Sequence, residues 1–172
     1  MLYYHKVFPV KQLQYQKVGN MLRYQSKGEV HKDFHGLTCA TLHYLIDNYG
    51  EEALVEVLTA TAQKVYKTIH DGLKNEDPDE LVEFWQYYFE REQGEFSIEK
   101  TADEIRLTVK NCPALRHLVT LEQEPDPILC RGTAIFNNAL AAGSPYELCT
   151  EKTGDFSCVQ TLRKREDQDD TK

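Results

Sequence analysis

A chain of 172 residues has the length of one domain and buries roughly two-thirds of its unfolded surface, enough to hold together without a metal or disulfides. A net charge of -8, with 20 Lys and Arg scattered along the chain, excludes the concentrated basic face of a nucleic-acid binder and disfavours an anionic membrane as partner. The start MLYYHKVFPV lacks a signal peptide's charged and apolar regions, no apolar run spans a bilayer, and five cysteines is an odd number for a disulfide framework, so a cytoplasmic chain with thiols that are free, catalytic or metal-bound is expected.

Residues 1–30 read as an N-terminal extension. Leu13, Val18 and Leu22 with Tyr15 and Tyr24 give it a helical pattern from Val10 to Ser26, ended by Lys27-Gly28. Residues 31–165 read as a single α+β domain, and 166–172, charged and without apolar side chains, as a disordered tail.

From His35 the period sharpens. His35, Thr38, Cys39, Leu42, Leu45, Ile46 and Tyr49 fall within one third of a helical wheel, with Asp33 as N-cap and Gly50 as C-cap glycine. A second helix opens on Glu51-Glu52 and runs Leu54, Val57, Leu58, Thr61, Val65, Ile69 at core spacing to Gly72. Pro78 sits in the first turn of a third, with the stripe Leu81, Val82, Trp85, Tyr88 and Phe89, closed by Gly94.

The period then changes to two. Phe96 and Ile98 face Ile105, Leu107 and Val109 across a turn at 101–103, a β-hairpin ended by Cys112-Pro113. A short helix over 113–121 and a longer one from Pro127 to Ala142 follow. A second hairpin, YELCTEKTGDFSCVQTLRKR, is centred on Thr153-Gly154. Helices first and hairpins later predict a helical layer packed on an antiparallel sheet built from two β-hairpins.

HKDFHGLTCATLH, residues 31–43, sets His31, His35, Cys39 and His43 at every fourth position. Three such steps climb roughly 18 Å, so one ion cannot reach all four. His35 with Cys39, or Cys39 with His43, can act as a pair, because i and i+4 side chains share a face. A Cys beside a His can form a thiolate–imidazolium nucleophile with a second His for proton transfer. Cys39 on an apolar stripe is equally the small buried hydrophobe that free cysteine commonly is, and His43 at the stripe's edge has the same structural reading. His35 sits beside Gly36, where a backbone can approach a ligand.

The other four cysteines form a second constellation. Cys149 and Cys158 lie equidistant from Thr153-Gly154, which makes them cross-strand partners in a two-residue hairpin unless a bulge intervenes. Cys112 and Cys130 could converge with them on zinc, although no CxxC spacing supports a finger or ribbon. Glu90 and Glu92 flank Arg91 beside the aromatic run, as an acid or base held against rings or as a solvated helix end. Trp85 and Tyr88 read as core or as a substrate platform.

The Asn111-Cys112-Pro113 step, Cys130 on a helix running through Asn137-Asn138, and the hairpin Gly154-Asp155-Phe156-Ser157-Cys158 resemble the L-2-amino-thiazoline-4-carboxylic acid hydrolase family over residues 36–163. More distantly they resemble four-vinyl-reductase type small-molecule-binding domains. The resemblance implies that Cys112, Cys130 and Cys158 line a working site, and that the reaction is hydrolysis of a carbon–nitrogen bond in a small cyclic amidine. The stretch HGLTCATLHYL is outside that pattern, which points to a subgroup with a different substrate or task.

The resulting expectation is a Cys- and His-lined cavity between helices and sheet, acting on a small heterocyclic or amide substrate. Cys130 or Cys39 would be nucleophile and His35 or His43 base, with Cys112, Cys158, Trp85 and Tyr88 holding substrate. A metal, if any, would sit on Cys112, Cys130 and Cys158, with zinc the expected ion. The rival is a non-catalytic small-molecule-binding module or accessory subunit with the same cavity. The aromatic and tyrosine content also suits a homo-oligomer or docking on a partner enzyme.

Overall fold

The computed structural model describes residues 14–18, 21–25 and 33–165. Residues 10–26 do not form the expected helix where they are described. Strands β1 (Gln14–Val18) and β2 (Met21–Gln25) pair antiparallel with Val18 opposite Met21. Two residues, Gly19-Asn20, separate them, and Gly-Asn is a hairpin signal that outweighs a weak 3.6-residue pattern. The expected tail at 166–172 lies outside the described residues.

Helix α1 (Asp33–Tyr49) turns into α2 (Glu51–Ala60) at Gly50, whose φ of 83° places it in the left-handed region that glycine tolerates. The Gly50 N–H closes the first helix on the Ile46 carbonyl at 2.9 Å. The single helix expected over 51–72 is interrupted. A π-helical turn at Thr61–Val65 follows α2, Tyr66 leaves helical geometry, and α3 (Lys67–Lys74) restarts on a new phase. The inserted residue rotates the stripe, so Val65, expected in the core, is exposed while Ala62, Ile69 and Leu73 are buried. Val57 is exposed as well. Gly72 lies inside α3 and does not end it. Its Cα faces the Asp77 carbonyl of the following turn, where an added Cβ would stand 2.8 Å from the oxygen.

Helix α4 (Asp79–Arg91) buries Leu81, Trp85 and Phe89 as its spacing predicts. The hairpin β3 (Glu95–Lys100) and β4 (Glu104–Asn111) follows, then α5 (Pro113–Thr120) and α6 (Pro127–Leu140), each opening on a proline. The last hairpin is β5 (Tyr146–Lys152) and β6 (Cys158–Lys164).

The two late hairpins join through β4 and β6 into one antiparallel sheet of order β3-β4-β6-β5, and the helices cover one face of it. Ile105, Leu107, Val109, Leu148 and Leu162 point into the core, while Arg106, Lys110, Glu151 and Arg163 point outward. This alternation is that of a one-sided antiparallel sheet. A second core lies within the helical layer, formed by Cys39 and Leu42 of α1, Leu54 of α2, Leu115 and Leu118 of α5 and Ile128 of α6.

The last hairpin corrects the cysteine pairing. Lys152 opposes Cys158 and Cys149 opposes Thr161, so the loop is residues 153–157 and the two cysteines point to opposite faces. Phe156 explains the longer loop: its side chain packs on the helical core and its carbonyl accepts the Cys112 N–H at 2.7 Å.

Gly36 and Gly72 test this packing. Gly36 has no atom within 4 Å of an added Cβ, so Gly36→Ala is expected to stabilise the protein by up to about 1 kcal/mol. Gly72→Ala is expected to destabilise it by about 1–3 kcal/mol, because the turn carbonyl must move. Urea unfolding of both variants checks this, and equal shifts would contradict the close approach at Gly72.

Candidate functional site

The two cores leave a cavity of about 660 Å³ between them. Leu42 of α1, Leu58 of α2 and Leu129 of α6 wall it on the helical side, and Trp85, Phe89 and Val109 on the sheet side. The π-helical turn contributes Thr61, and Tyr66 lines the wall where helical geometry breaks. The floor is polar. Asn137, buried on α6, donates to Gln160 Oε1 at 2.7 Å and to Thr150 Oγ1 at 2.9 Å, which ties the helix to β6 and β5 and places amide and hydroxyl groups in the lining.

Cys112, Cys130 and Cys158 all line this cavity, as do Trp85, Tyr88 and His35; Cys39 and His43 do not. Each thiol arrives by a different local route. Cys112 precedes the proline that opens α5, Cys130 sits in the first turns of α6, and Cys158 begins β6 opposite Val109 of β4. Burial pushes the Cys158 thiol up to about 11, with Cys112 adding to the effect. Burial also raises Cys130, again with Cys112 contributing. Burial raises the Tyr88 phenol too, helped by Cys112 and Glu92. For Cys130 and Cys158 the environment therefore favours the neutral thiol over the thiolate near neutral pH. The lining holds two cations, Lys152 and Arg131, and no Asp or Glu among the described residues, in a chain with 28 acidic residues. Arg131 is paired with Glu51.

The histidine ladder separates into two constellations; His31 lies outside the described residues. His35 is buried at the cavity wall, and its Nε2 donates to Glu92 Oε2 at 3.3 Å. Glu92 is only 2% exposed, so it is not the solvated helix end that its charged neighbours suggest. It also lies 3.8 Å from Arg91 Nε. Glu90, in contrast, is exposed and bonded to Gln86. Gly36 has open space above it.

One turn further along, Cys39 and His43 converge on Asp126. The Cys39 thiol donates to Asp126 Oδ2 at 3.2 Å and His43 Nε2 lies 2.6 Å from the same oxygen. Asp126 is the N-cap of α6, its Oδ1 accepting from the Ile128 N–H at 2.9 Å. Burial, then the bond to Asp126, pushes the Cys39 thiol up to about 11. Burial works to raise the Asp126 carboxyl, but bonds from His43, the Ile128 N–H and Cys39 outweigh it and hold the carboxyl below its ordinary value.

This group can hold a metal ion, since one ligand atom from each residue lies within 4.8 Å of the others. Among the described residues it is the group that does so, and Cys112, Cys130 and Cys158 do not form one. The group that can hold an ion is thus not the three cavity thiols but a set containing Asp126. Sequence spacing missed this residue, although Asp126-Pro127 is a legible N-cap and first-turn pair. Cys149 is exposed on the outer face of the sheet.

No helix of the described residues is long and apolar enough to cross a membrane. Comparisons with protein-family models, with curated proteins and with solved structures find no match to this chain.

Two measurements follow. With a thiol reagent at pH 8, Cys149 is expected to react first. Cys39 and Cys158 should stay slow until the pH approaches 11, because their raised pKa keeps them protonated. In Cys149→Ser, a Cys39 or Cys130 thiol reacting fast below pH 8 would contradict this order. For the buried pair, Glu92→Ala and His35→Ala are each expected to cost about 3–5 kcal/mol, and the double variant clearly less than their sum. A double-mutant cycle in urea reads this directly, and additivity would deny the coupling.

Proposed function

We propose that this protein is a small-molecule-binding module whose ligand lies in the 660 Å³ cavity between the helical layer and the sheet. The observation that carries the reading is the cavity itself: apolar and aromatic walls, a few convergent polar anchors at Asn137, Gln160 and Thr150, and a volume in the range of small-molecule sites. His35 and the thiols of Cys112, Cys130 and Cys158 add weak donors and polarisable contacts on the wall.

The rival is hydrolysis of a carbon–nitrogen bond in a small cyclic amidine or amide, carried by the resemblance to the aminothiazoline carboxylate hydrolases. It needs Cys130 or Cys39 as nucleophile. Both thiols have raised pKa values, and the Cys39 proton points to a carboxylate rather than to a base on the way to a substrate. Cys39 and His43 also lie outside the cavity lining. These features weigh toward binding without covalent chemistry.

For the ion that Cys39, His43 and Asp126 can hold, zinc suits the mixed sulfur, nitrogen and oxygen donors. Five free cysteines suit a reducing cytoplasm. Self-association or docking on a partner enzyme would draw on Leu37 and Tyr44, exposed on α1.

An apolar fluorescent dye with micromolar affinity is the first probe. Ala114→Trp, which fills the cavity from α5, is expected to weaken dye binding at least about 10-fold, as a loss of 1.4 kcal/mol would, with the far-ultraviolet circular dichroism unchanged. Dye binding that ignores this variant would sink the cavity reading. Turnover of an aminothiazoline carboxylate that is abolished in Cys130→Ser would replace it with the hydrolase.

A further inference from the structure

We infer that Cys39, His43 and Asp126 form a binding site for one divalent transition-metal ion, and that the ion clamps α1 to the start of α6. The site lies outside the cavity lining and stands whether or not a ligand binds there.

The donors come from two elements that sequence alone leaves unrelated. Cys39 and His43 are one turn apart on the same face of α1. Asp126 caps α6 and sends one carboxylate oxygen into each structure: Oδ1 to the Ile128 N–H, Oδ2 to the two α1 side chains. The cap bond fixes the carboxylate's direction, the part that a hydrogen-bonding neighbour plays for a metal ligand. Oδ2 stands 2.6 Å from His43 Nε2 and 3.2 Å from Cys39 Sγ. Bonds of about 2.0–2.3 Å in a tetrahedron separate ligand atoms by roughly 3.2–3.7 Å, so Oδ2 must part from the other two donors by no more than about 1 Å, and Sγ and Nε2 already lie within 4.8 Å of one another.

Charge and access agree with this. Binding releases the Cys39 thiol proton to solvent, and the Nε2 proton that His43 donates to Asp126 leaves as well, the imidazole carrying its one proton on Nδ1 so that the Nε2 lone pair meets the ion. Thiolate and carboxylate together then balance a divalent cation, so the positive end of α6 faces a site with no net charge. The His43 side chain is 49% exposed and the Asp126 side chain 24%, which leaves a solvent route and room for water at a fourth position. Sulfur and imidazole donors beside a single carboxylate select zinc-like ions over magnesium or calcium, which want oxygen ligands.

Cobalt(II) is the probe, added to the metal-free full-length protein kept reduced. One equivalent is expected to bind and to produce a thiolate-to-cobalt charge-transfer band. Cys39→Ser should remove the band, and His43→Ala, at an exposed position, should weaken binding at least about 100-fold, beyond what loss of an outer neighbour costs. Asp126→Asn, which keeps the cap acceptor, should weaken it comparably. Circular dichroism confirms that each variant is folded; should Cys39→Ser not fold, His43→Ala carries the test. Silent wild-type protein, or a band unchanged in His43→Ala, would overturn the site. A band lost only when Cys112 or Cys158 is replaced would do the same and move the ion into the cavity.

Discussion

Helix α6 has to satisfy two cores at once, and the position of nearly everything else depends on that constraint. Ile128, Leu129, Cys130 and Ile135 belong to the helical core, and the last turns, Phe136 with Ala139 and Leu140, belong to the core on the sheet. Three features hold it in place. Asp126 caps its start, Gly132 lets it lie so close to α1 that a Cβ there would stand 3.0 Å from Leu42 Cδ1, and Asn137 is anchored to Gln160 and Thr150. The last is a demand as much as a gain, since a buried amide without partners would cost about 1–3 kcal/mol. The helix is therefore oriented on the sheet by a polar requirement and on α1 and α2 by a steric one.

The cavity is a consequence of that geometry. A helix spanning two cores cannot close the space where they diverge, and the π-helical turn at Thr61–Val65 followed by Tyr66 keeps the facing wall from collapsing inward. Large rings fill part of the gap: Tyr66 meets Phe84 and Phe136 edge to face, at centroid distances of 5.3 and 5.0 Å. The polar groups then fall into three separate settings. The three cavity thiols line a mostly apolar space, where burial raises the Cys130 and Cys158 pKa values, His35 and Glu92 bond to one another at its wall, and Cys39 with His43 turns away from it toward Asp126.

Much of the fold was readable because its signals are local. Stripe spacing placed α1 and α4, prolines marked the starts of α5 and α6, and alternation marked both late hairpins. The failures are equally physical. A weak helical pattern over 10–26 carried a hairpin dipeptide at its centre, and that signal won. Continuous apolar spacing over 51–72 could not reveal one extra residue in a π turn, because the insertion changes phase without changing composition. The Cys149 and Cys158 pairing failed because Thr153-Gly154 is a plausible two-residue turn, yet Phe156 is drawn toward the helices and lengthens the loop by three residues, 153–157 in place of 153–154.

The sequence by itself determined the fold class: α+β, with helices packed on an antiparallel sheet built from the two late hairpins. This follows from periodicity and punctuation, which act over a few residues and survive any arrangement of the elements. Only the tertiary structure decided which residues meet. Asp126 lies 83 positions from His43 and 87 from Cys39, and Glu92 lies 57 from His35. No short-range rule links such positions, because each contact depends on how α6 and α4 pack, and that packing is set by volume and buried polar groups summed over the whole core.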